Sequence, residues 1–332
     1  AAPILDQIDR NEITAVLFAT ETGVDQSKSA GVFLHGLLNL SKRCRVVEFK
    51  HACYAGAAAL QMATTMIRAN PKEKILVIAA DIAKYDVNTS AEATQGCGAV
   101  AMLMTESPRI IDIEVGSGYF TDDVMDFWRP NHRTTALVDG KYSTKVYLNS
   151  LKQTWEHFSE QTGKTFEDID YFCYHIPFTK MADKAHQTLI RKTGAKVTPD
   201  EFKAQTLPSQ RYNRIIGNSY SASLFISFIS LLDHIEDNIE NKRVSFFSYG
   251  SGCVAEFFTG VMQPGYQSLL MTDRHLEKIA QRTALTYAQY LAFYHPSGAS
   301  EENIVHEPTN RGGYRLAGIE NHKRYYQRTS DE

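Results

Sequence analysis

Cys53 is placed for nucleophilic chemistry. It falls where Glu48-Phe49-Lys50-His51-Ala52 gives way to a run of small residues, Ala55-Gly56-Ala57-Ala58-Ala59, that reads as part of a long helix, Cys53 to Ala69. A thiol at a helix N-terminus meets the positive end of the macrodipole and unpaired backbone N–H groups, and both favour the thiolate. Small residues let that helix approach other backbone closely. A free cysteine is ordinarily a small core residue, and that reading is kept for Cys44, Cys97, Cys173 and Cys253. Glu21, in Ala19-Thr20-Glu21-Thr22-Gly23, directly follows the apolar run 13–20. A carboxylate at the carboxyl end of a buried strand stands where α/β folds place their sites, and partial burial would raise its pKa toward general acid/base use. It could equally be a loop residue capping the next helix. His175 ends the run Asp170-Tyr-Phe-Cys-Tyr-His and can donate a hydrogen bond or move a proton near neutral pH, although most lone histidines are simply satisfied polar residues. Ser248-Tyr249-Gly250-Ser251-Gly252 follows another apolar run, and its backbone N–H groups could face an oxyanion or merely close a tight turn. Ile216-Gly217-Asn218-Ser219 precedes an apolar helix and could be its cap.

Other chemistries lack their residues. Gly163-Lys164-Thr165 resembles the end of a phosphate-binding loop, but Phe158 stands where the first glycine belongs. No Cys-x-x-Cys or His-x-x-x-His spacing offers a zinc site, and no Gly-x-Gly-x-x-Gly follows a strand. The expectation is catalysis with no metal and no redox cofactor.

The elements that must position these residues alternate between strand and helix. Residues 13–20, 44–50, 74–81, 97–105 and 110–115 read as strands, with helices at 27–40 and after Cys53. A loop-rich connection at 121–141 follows. Helices at 143–161, 179–193 and 221–238 then alternate with strands at 170–175 and 243–249, and the polar tail beyond 300 reads as a surface helix. Such alternation is the mark of layered α/β folds. The 332 residues allow about two domains or two fused halves. A net charge of −3 supplies no basic field for nucleic acid or anionic lipid. No apolar run is long enough to span a bilayer, and the N-terminal stretch has no signal-peptide pattern. Five scattered cysteines are not a disulfide framework, so the expected compartment is the reducing cytoplasm.

Taken in order, these stretches resemble one family. Ala19-Thr-Glu-Thr-Gly-Val-Asp-Gln-Ser27, Ala52-Cys-Tyr-Ala-Gly56, Val77-Ile-Ala-Ala-Asp-Ile-Ala-Lys-Tyr85, Met125-Asp-Phe-Trp-Arg-Pro130 and Tyr174-His-Ile-Pro-Phe178 are similar to 3-hydroxy-3-methylglutaryl-CoA synthases of the bacterial type. So are Gly217-Asn-Ser-Tyr220 and Ser248-Tyr-Gly-Ser-Gly252, and the likeness runs from about residue 13 to about 265. It implies a thiolase-like layered α/β fold (α-β-α-β-α) of two pseudo-repeated halves. Residues 1–120 would carry Glu21 and Cys53, residues 121–265 would carry His175 and Asn218, and 266–332 would be a helical tail. The family has a strand and helices before the point where this chain begins, and Ala1-Ala-Pro-Ile-Leu-Asp-Gln-Ile8 reads as the middle of a helix, so a longer chain or a second one is expected to complete the first half.

The resemblance also implies roles. Cys53 would take an acetyl group from acetyl-CoA, Glu21 would remove a proton from its methyl, and His175 would hydrogen-bond acetoacetyl-CoA and polarise its ketone. The backbone at Ser251, beside Gly250, would help form an oxyanion hole, and Asn218 would hold the second substrate. Asp81, Tyr85, Thr94, Asp126 and Tyr249 match positions that shape the site, and Lys180 and Lys184 would meet CoA phosphates. The implied enzyme is a synthase of the mevalonate route using CoA thioesters, homodimeric by analogy with thiolase folds. Met125–Pro130 and Tyr142-Ser-Thr-Lys-Val-Tyr147 favour it. Cys253 and Arg315–Tyr326 are similar to a sister group that acts on acyl carrier proteins to install β-branches in polyketides. A non-catalytic thiolase-fold subunit is the reading from another class, and a Cys–His hydrolase ranks last.

Overall fold

A computed structural model describes residues 1–294, 303–306 and 312–329. The chain forms two compact units, Ala1–Gly31 with Leu40–Leu270, and Val32–Asn39 with Met271–Glu332. The chain opens with one helical turn, α1 (Ala2–Leu5), and continues through β1 (Ala15–Ala19), α2 (Ala30–Leu37), β2 (Arg45–Phe49), α3 (Ala55–Ala69), β3 (Ile75–Ile82) and β4 (Cys97–Met104). The strands form one sheet in the order β2-β1-β3-β4, with the first three parallel and β4 antiparallel. Every residue of β1, and Ile75 to Ala79 of β3, is buried. Continuous aliphatic runs, rather than alternation, are what a strand covered on both faces requires.

A second sheet follows. Its region runs β5 (Ile111–Ile113), β6 (Gly118–Thr121), the short pair β7 (Phe127–Trp128) and β8 (Leu137–Val138), α4 (Gly140–Thr162), β9 (Tyr171–Tyr174), α5 (Met181–Thr193), α6 (Pro199–Ile216), α7 (Ser223–His234), β10 (Arg243–Gly250) and β11 (Val254–Met262). The order is β5-β11-β10-β9, with β6 also paired to β11. Alternation along β10 and β11 sends successive phenylalanines to opposite faces. Phe257 meets Trp155 and Phe158 of α4, with ring centroids 5.2 and 5.0 Å apart. Phe246, on the other face, packs 5.1 Å from Phe228 of α7. Helices α3 and α7 form the layer between the sheets. A Cβ at Gly56 of α3 would stand 2.5 Å from the Ser221 carbonyl oxygen and 2.7 Å from the Phe225 ring. Only glycine allows that approach, which is the close packing the small-residue run implied. The result is a thiolase-like layered α/β fold.

In the second unit, α8 (Thr272–Ala280) and α9 (Tyr287–Tyr294) are followed by β12 (Ile304–Val305), β13 (Tyr314–Glu320) and β14 (Lys323–Arg328). The surface helix expected beyond 300 is therefore corrected to a three-stranded sheet over the described residues. Its cause is local. Asn321 and His322 both take positive φ, 48° and 63°, closing a two-residue hairpin loop between β13 and β14. Phe33 packs at a tilt against Tyr326, ring centroids 5.2 Å apart, and Arg328 Nη2 donates to the Leu37 carbonyl at 3.0 Å. Three further readings need amendment. Helix α3 starts at Ala55 with Tyr54 as its N-cap, so Cys53 lies just before the helix. The opening segment is helical only over Ala2–Leu5. Helix α6 was missed although Thr198 and Glu201 form a capping box around Pro199 at its first turn. No described helix is long and apolar enough to cross a membrane.

Gly56→Ala is expected to destabilise the protein by about 1–3 kcal/mol, the usual cost of forcing a methyl into a packed core. Urea unfolding checks this; an unchanged midpoint would mean that the helices separate freely.

Candidate active site

Cys53 and Glu21 reach each other from different strand ends. Glu21 follows β1, and Cys53 follows β2 through a loop whose Ala52 sits at φ 43°. A non-glycine residue in this region costs about 1 kcal/mol or more, so the loop is held by its surroundings. Gly250 supplies one hold. A Cβ there would stand 2.7 Å from the His51 carbonyl oxygen and 2.8 Å from the Tyr54 nitrogen. The end of β10 thus lies directly against the nucleophile loop. Cys53 Sγ is 3.8 Å from Glu21 Oε2, and the two side chains are 8% and 9% exposed.

Asp81 fixes the loop that carries Glu21. Its Oδ1 accepts from Thr20 Oγ1 and Thr22 Oγ1, both at 2.7 Å, and from the Glu21 and Thr22 amides, both at 2.9 Å. Its Oδ2 accepts from the Ser221 amide at 3.0 Å and from the Ser221 hydroxyl. Arg129 Nη2 donates to the Glu21 carbonyl at 2.6 Å. Burial, reinforced by the negative charge of Asp81, pushes the Glu21 carboxyl up to about 8. Arg129, the Cys53 hydrogen bond and Lys50 oppose that rise without cancelling it. Burial and the neighbouring Glu21 and Asp81 also hold the Cys53 thiol well above its ordinary range. The expectation that helix placement makes Cys53 a resting thiolate is therefore corrected. It precedes the N-cap, and desolvation beside two carboxyl groups outweighs a dipole worth about 1 kcal/mol.

His175 follows β9. Its amide donates to the Phe247 carbonyl and its carbonyl accepts from Tyr147 Oη, each at 2.8 Å. Its Nδ1 is buried with no hydrogen-bond partner, and burial lowers the ring to about 3. The imidazole is thus neutral at physiological pH. Asp126, fully buried, accepts from Tyr249 Oη at 2.5 Å, Ser143 Oγ at 2.8 Å and the Gly252 amide at 2.9 Å. Asn218 bonds through its amide to the Thr94 carbonyl at 2.9 Å, and its Oδ1 caps the Tyr220 amide at 2.9 Å. Asn218 thus stands at the site but does not cap the apolar helix α7, whose N-cap is Ala222 with no side-chain cap; the Asn218 Oδ1 closes the turn before it.

A cavity of about 340 Å³ collects these groups. Cys53, Tyr85, Thr94, His175, Asn218, Tyr249 and Ser251 line it, together with Phe127, Tyr147 and Tyr220. Glu21 lies behind Cys53, and Asp81, Asp126 and Gly250 support the wall rather than line it. Lys180 and Lys184 are exposed at the start of α5, and Lys184 Nζ stands 5.1 Å from the ring centre of Phe178, a lining residue. The sequence reading missed Tyr147, Phe127 and Tyr220. Tyr85, Phe127 and Tyr220 pack edge to face around the thiol, with centroids 5.8–6.2 Å apart. Their only sequence signal was aromatic residues within the quoted motifs. Cys44, Cys173 and Cys253 are buried, but Cys97 is exposed, which corrects its reading as core. Among the described residues no group of three or more His, Cys, Asp or Glu side chains could hold a metal.

A thiol and a neutral imidazole lining one cavity, with a proton-holding carboxyl beside the thiol, in a thiolase-like fold, fit an enzyme of the acyltransferase type. Comparison with known proteins names the family. The sequence profile for the hydroxymethylglutaryl-coenzyme A synthase N terminal matches residues 5–108, and that for its C terminal matches 110–193 and 187–295. A hydroxymethylglutaryl-CoA synthase of Enterococcus faecalis is 38% identical over 98% of this chain and 85% of its own. A crystal structure of an HMG-CoA synthase complexed with CoA superposes with a TM-score of 0.91 at 37% identity, covering 99% of this chain and 86% of that one. The HMG synthase of the curacin biosynthetic pathway, in complex with acetyl donor-ACP, gives 0.91 at 32% identity with the same coverage. The chain belongs to the hydroxymethylglutaryl-CoA synthase family.

The raised Glu21 pKa has a consequence for stability. The unfolded chain releases this proton near 4.5 and the native protein near 8. Between those values the native state binds more protons, so this contribution to stability is lost as pH rises. Glu21→Gln removes it. The variant's melting temperature minus that of the parent is expected to grow from pH 5 to pH 9. Parallel melting curves across that range would show that Glu21 is not held protonated.

Proposed function

We propose that the chain condenses acetyl-CoA with acetoacetyl-CoA through an acetyl-Cys53 intermediate, releasing CoA and 3-hydroxy-3-methylglutaryl-CoA. The observation that carries this reading is the buried Cys53–Glu21 pair, Sγ to Oε2 3.8 Å, with Glu21 near 8. A carboxyl poised there serves both as proton acceptor and donor near neutral pH. In molecules whose Glu21 is ionised, a minority near neutral pH, Cys53 attacks the acetyl thioester as its proton passes to Glu21, and that proton leaves on the CoA sulfur. Glu21, ionised again, removes a methyl proton from acetyl-Cys53. The resulting carbanion attacks the ketone of acetoacetyl-CoA, whose oxygen takes a hydrogen bond from neutral His175. Glu21 then protonates the tertiary alkoxide, and water hydrolyses the Cys53 thioester. Covalent catalysis divides one hard step into easier ones.

In this reading the Ser251 backbone donates to the thioester oxyanion and Asn218 orients the second substrate. Asp81, Tyr85, Thr94, Asp126, Tyr249 and Gly250 hold the walls. Lys180 and Lys184, one helical turn apart, meet CoA phosphates as point charges. The chemistry needs CoA thioesters as substrates and no resident cofactor. Assembly as a homodimer is proposed by analogy with thiolase folds. A carrier-protein acetyl donor is the second reading, favoured by the equal structural match to the curacin enzyme bound to its donor ACP.

The test is incubation with radiolabelled acetyl-CoA or acetyl-carrier protein, denaturation and peptide mapping. Label on the Cys53 peptide, absent in Cys53→Ala, is expected from acetyl-CoA. Label from the carrier protein alone would select the second reading, and label from neither would overturn both. Exchange of the acetyl-enzyme methyl protons into D2O should rise tenfold per pH unit and level off above about 8, where Glu21 is ionised. Replacement by Gln should abolish it; a flat profile would remove Glu21 as the base.

A further inference from the structure

Strand β9, which delivers His175, is an edge strand, bonded to β10 on one side only. Its parallel register points residues 171 and 173 toward β10, and the His175 amide still bonds the Phe247 carbonyl. The carbonyls of Phe172, Tyr174 and Ile176 therefore point away from the sheet into a buried region, where an unpaired carbonyl is costly. Each accepts a bond from a serine hydroxyl. Ser209 of α6 donates to Phe172 at 3.3 Å, Ser227 of α7 to Tyr174 at 3.1 Å, and Ser223 of α7 to Ile176 at 3.1 Å. All three serines are fully buried. On α7 the serines recur at 223, 227 and 230 on one face, among residues that are otherwise apolar up to Leu232. Asn213 Nδ2 donates to Ser227 Oγ at 2.7 Å, which leaves the Ser227 proton for Tyr174. Ser230, the third on that face, donates instead to the Pro208 carbonyl at 2.6 Å.

His175 needs this support more than most site histidines. A site imidazole is normally aimed by a partner on its second nitrogen, yet His175 Nδ1 is buried without one. The direction of the ring is then set by its backbone and its packing. Ser227 and Ser223 grip the carbonyls immediately before and after that residue. We infer that Ser223 and Ser227 are positioning residues for His175, a hydroxyl pair on α7 that stands in for the missing neighbour strand and aims the imidazole at the second substrate. They touch no reacting atom. This rests on the condensation proposed above, in which His175 serves the second half-reaction and not the acetylation of Cys53.

The two half-reactions separate a positioning role from a merely structural one. In Ser223→Ala/Ser227→Ala, acetylation of Cys53 by acetyl-CoA should proceed within about twofold of the parent. Single-turnover condensation of the preformed acetyl-enzyme with acetoacetyl-CoA should fall on the order of tenfold to a hundredfold, as misplacement of a positioned group does. Ser230→Ala and Ser209→Ala, which remove equally buried hydroxyls that do not flank His175, should lower the melting temperature and leave the ratio of the two rates unchanged. If the double variant does not fold, Ser227→Ala alone is read the same way. Equal loss in both half-reactions, or the same rate ratio in Ser230→Ala at a matched melting temperature, would overturn the inference. A parent enzyme that is acetylated but performs no condensation would overturn the functional reading and this inference with it.

Discussion

The side chain of Asp81 is the joint on which the site depends. It stands near the end of β3 and gathers donors from the loop after β1 and from the turn before α7. Those segments are more than a hundred residues apart in sequence. One carboxyl group therefore sets where Glu21 stands and where α7 begins. Ser221 binds this carboxyl group with both its hydroxyl and its amide, and Gly56 of α3 packs against the Ser221 carbonyl. Helix α3, the Glu21 loop and the start of α7 are thereby held to a common point. Such a buried network must be satisfied throughout to be stable, and Asp81 is satisfied on both oxygens.

What Asp81 joins, it also perturbs. Its charge beside a desolvated Glu21 makes ionisation of that carboxyl harder, and Glu21 does the same to the thiol. The site therefore rests with its protons in place instead of storing a thiolate. In the proposed mechanism this is workable, because the ionised fraction of Glu21 can take the Cys53 proton as the thiol attacks. In that proposal Glu21 must later also remove a far less acidic proton from carbon. A carboxylate with an ordinary pKa would be a weak base for that step, so the burial that suppresses a resting thiolate would also prepare Glu21 for the proposed carbon acid.

Much of this was legible from the residues. Long aliphatic runs marked β1 and β3 as buried strands, and the small-residue run after Cys53 marked a helix pressed against other backbone. Placement after a strand or before a helix pointed to Glu21, Cys53, His175 and Asn218, whereas Asp81 and Asp126 were pointed to only by the family resemblance. Of the aromatic wall only Tyr85 was legible, through the resemblance; Phe127 and Tyr220 join it only through tertiary packing. Nor was the sign of the Cys53 shift. Helix placement is visible in sequence, but desolvation and the approach of Glu21 are not. The tail failed for a different reason. Its strands are rich in Arg, Tyr and Gln, and the turn residues are Asn and His, so neither apolar alternation nor a glycine announced the hairpin.

The two buried ionisable groups of the site are accommodated in opposite ways. Glu21 is held by bonds to its own loop while its carboxyl is left desolvated, so its proton is the variable. His175 is left with an empty nitrogen and a ring too buried to charge, so its proton is constant and its position is what must be controlled. A neutral imidazole can only donate or accept a hydrogen bond, and its value to a developing alkoxide falls steeply with misalignment. The fold accordingly invests in backbone restraint around His175, with Phe247 and Tyr147 on the residue itself and buried hydroxyls on its neighbours. One half of the site is thus tuned through energy and the other through geometry, as expected where one group must move a proton and the other must only meet one.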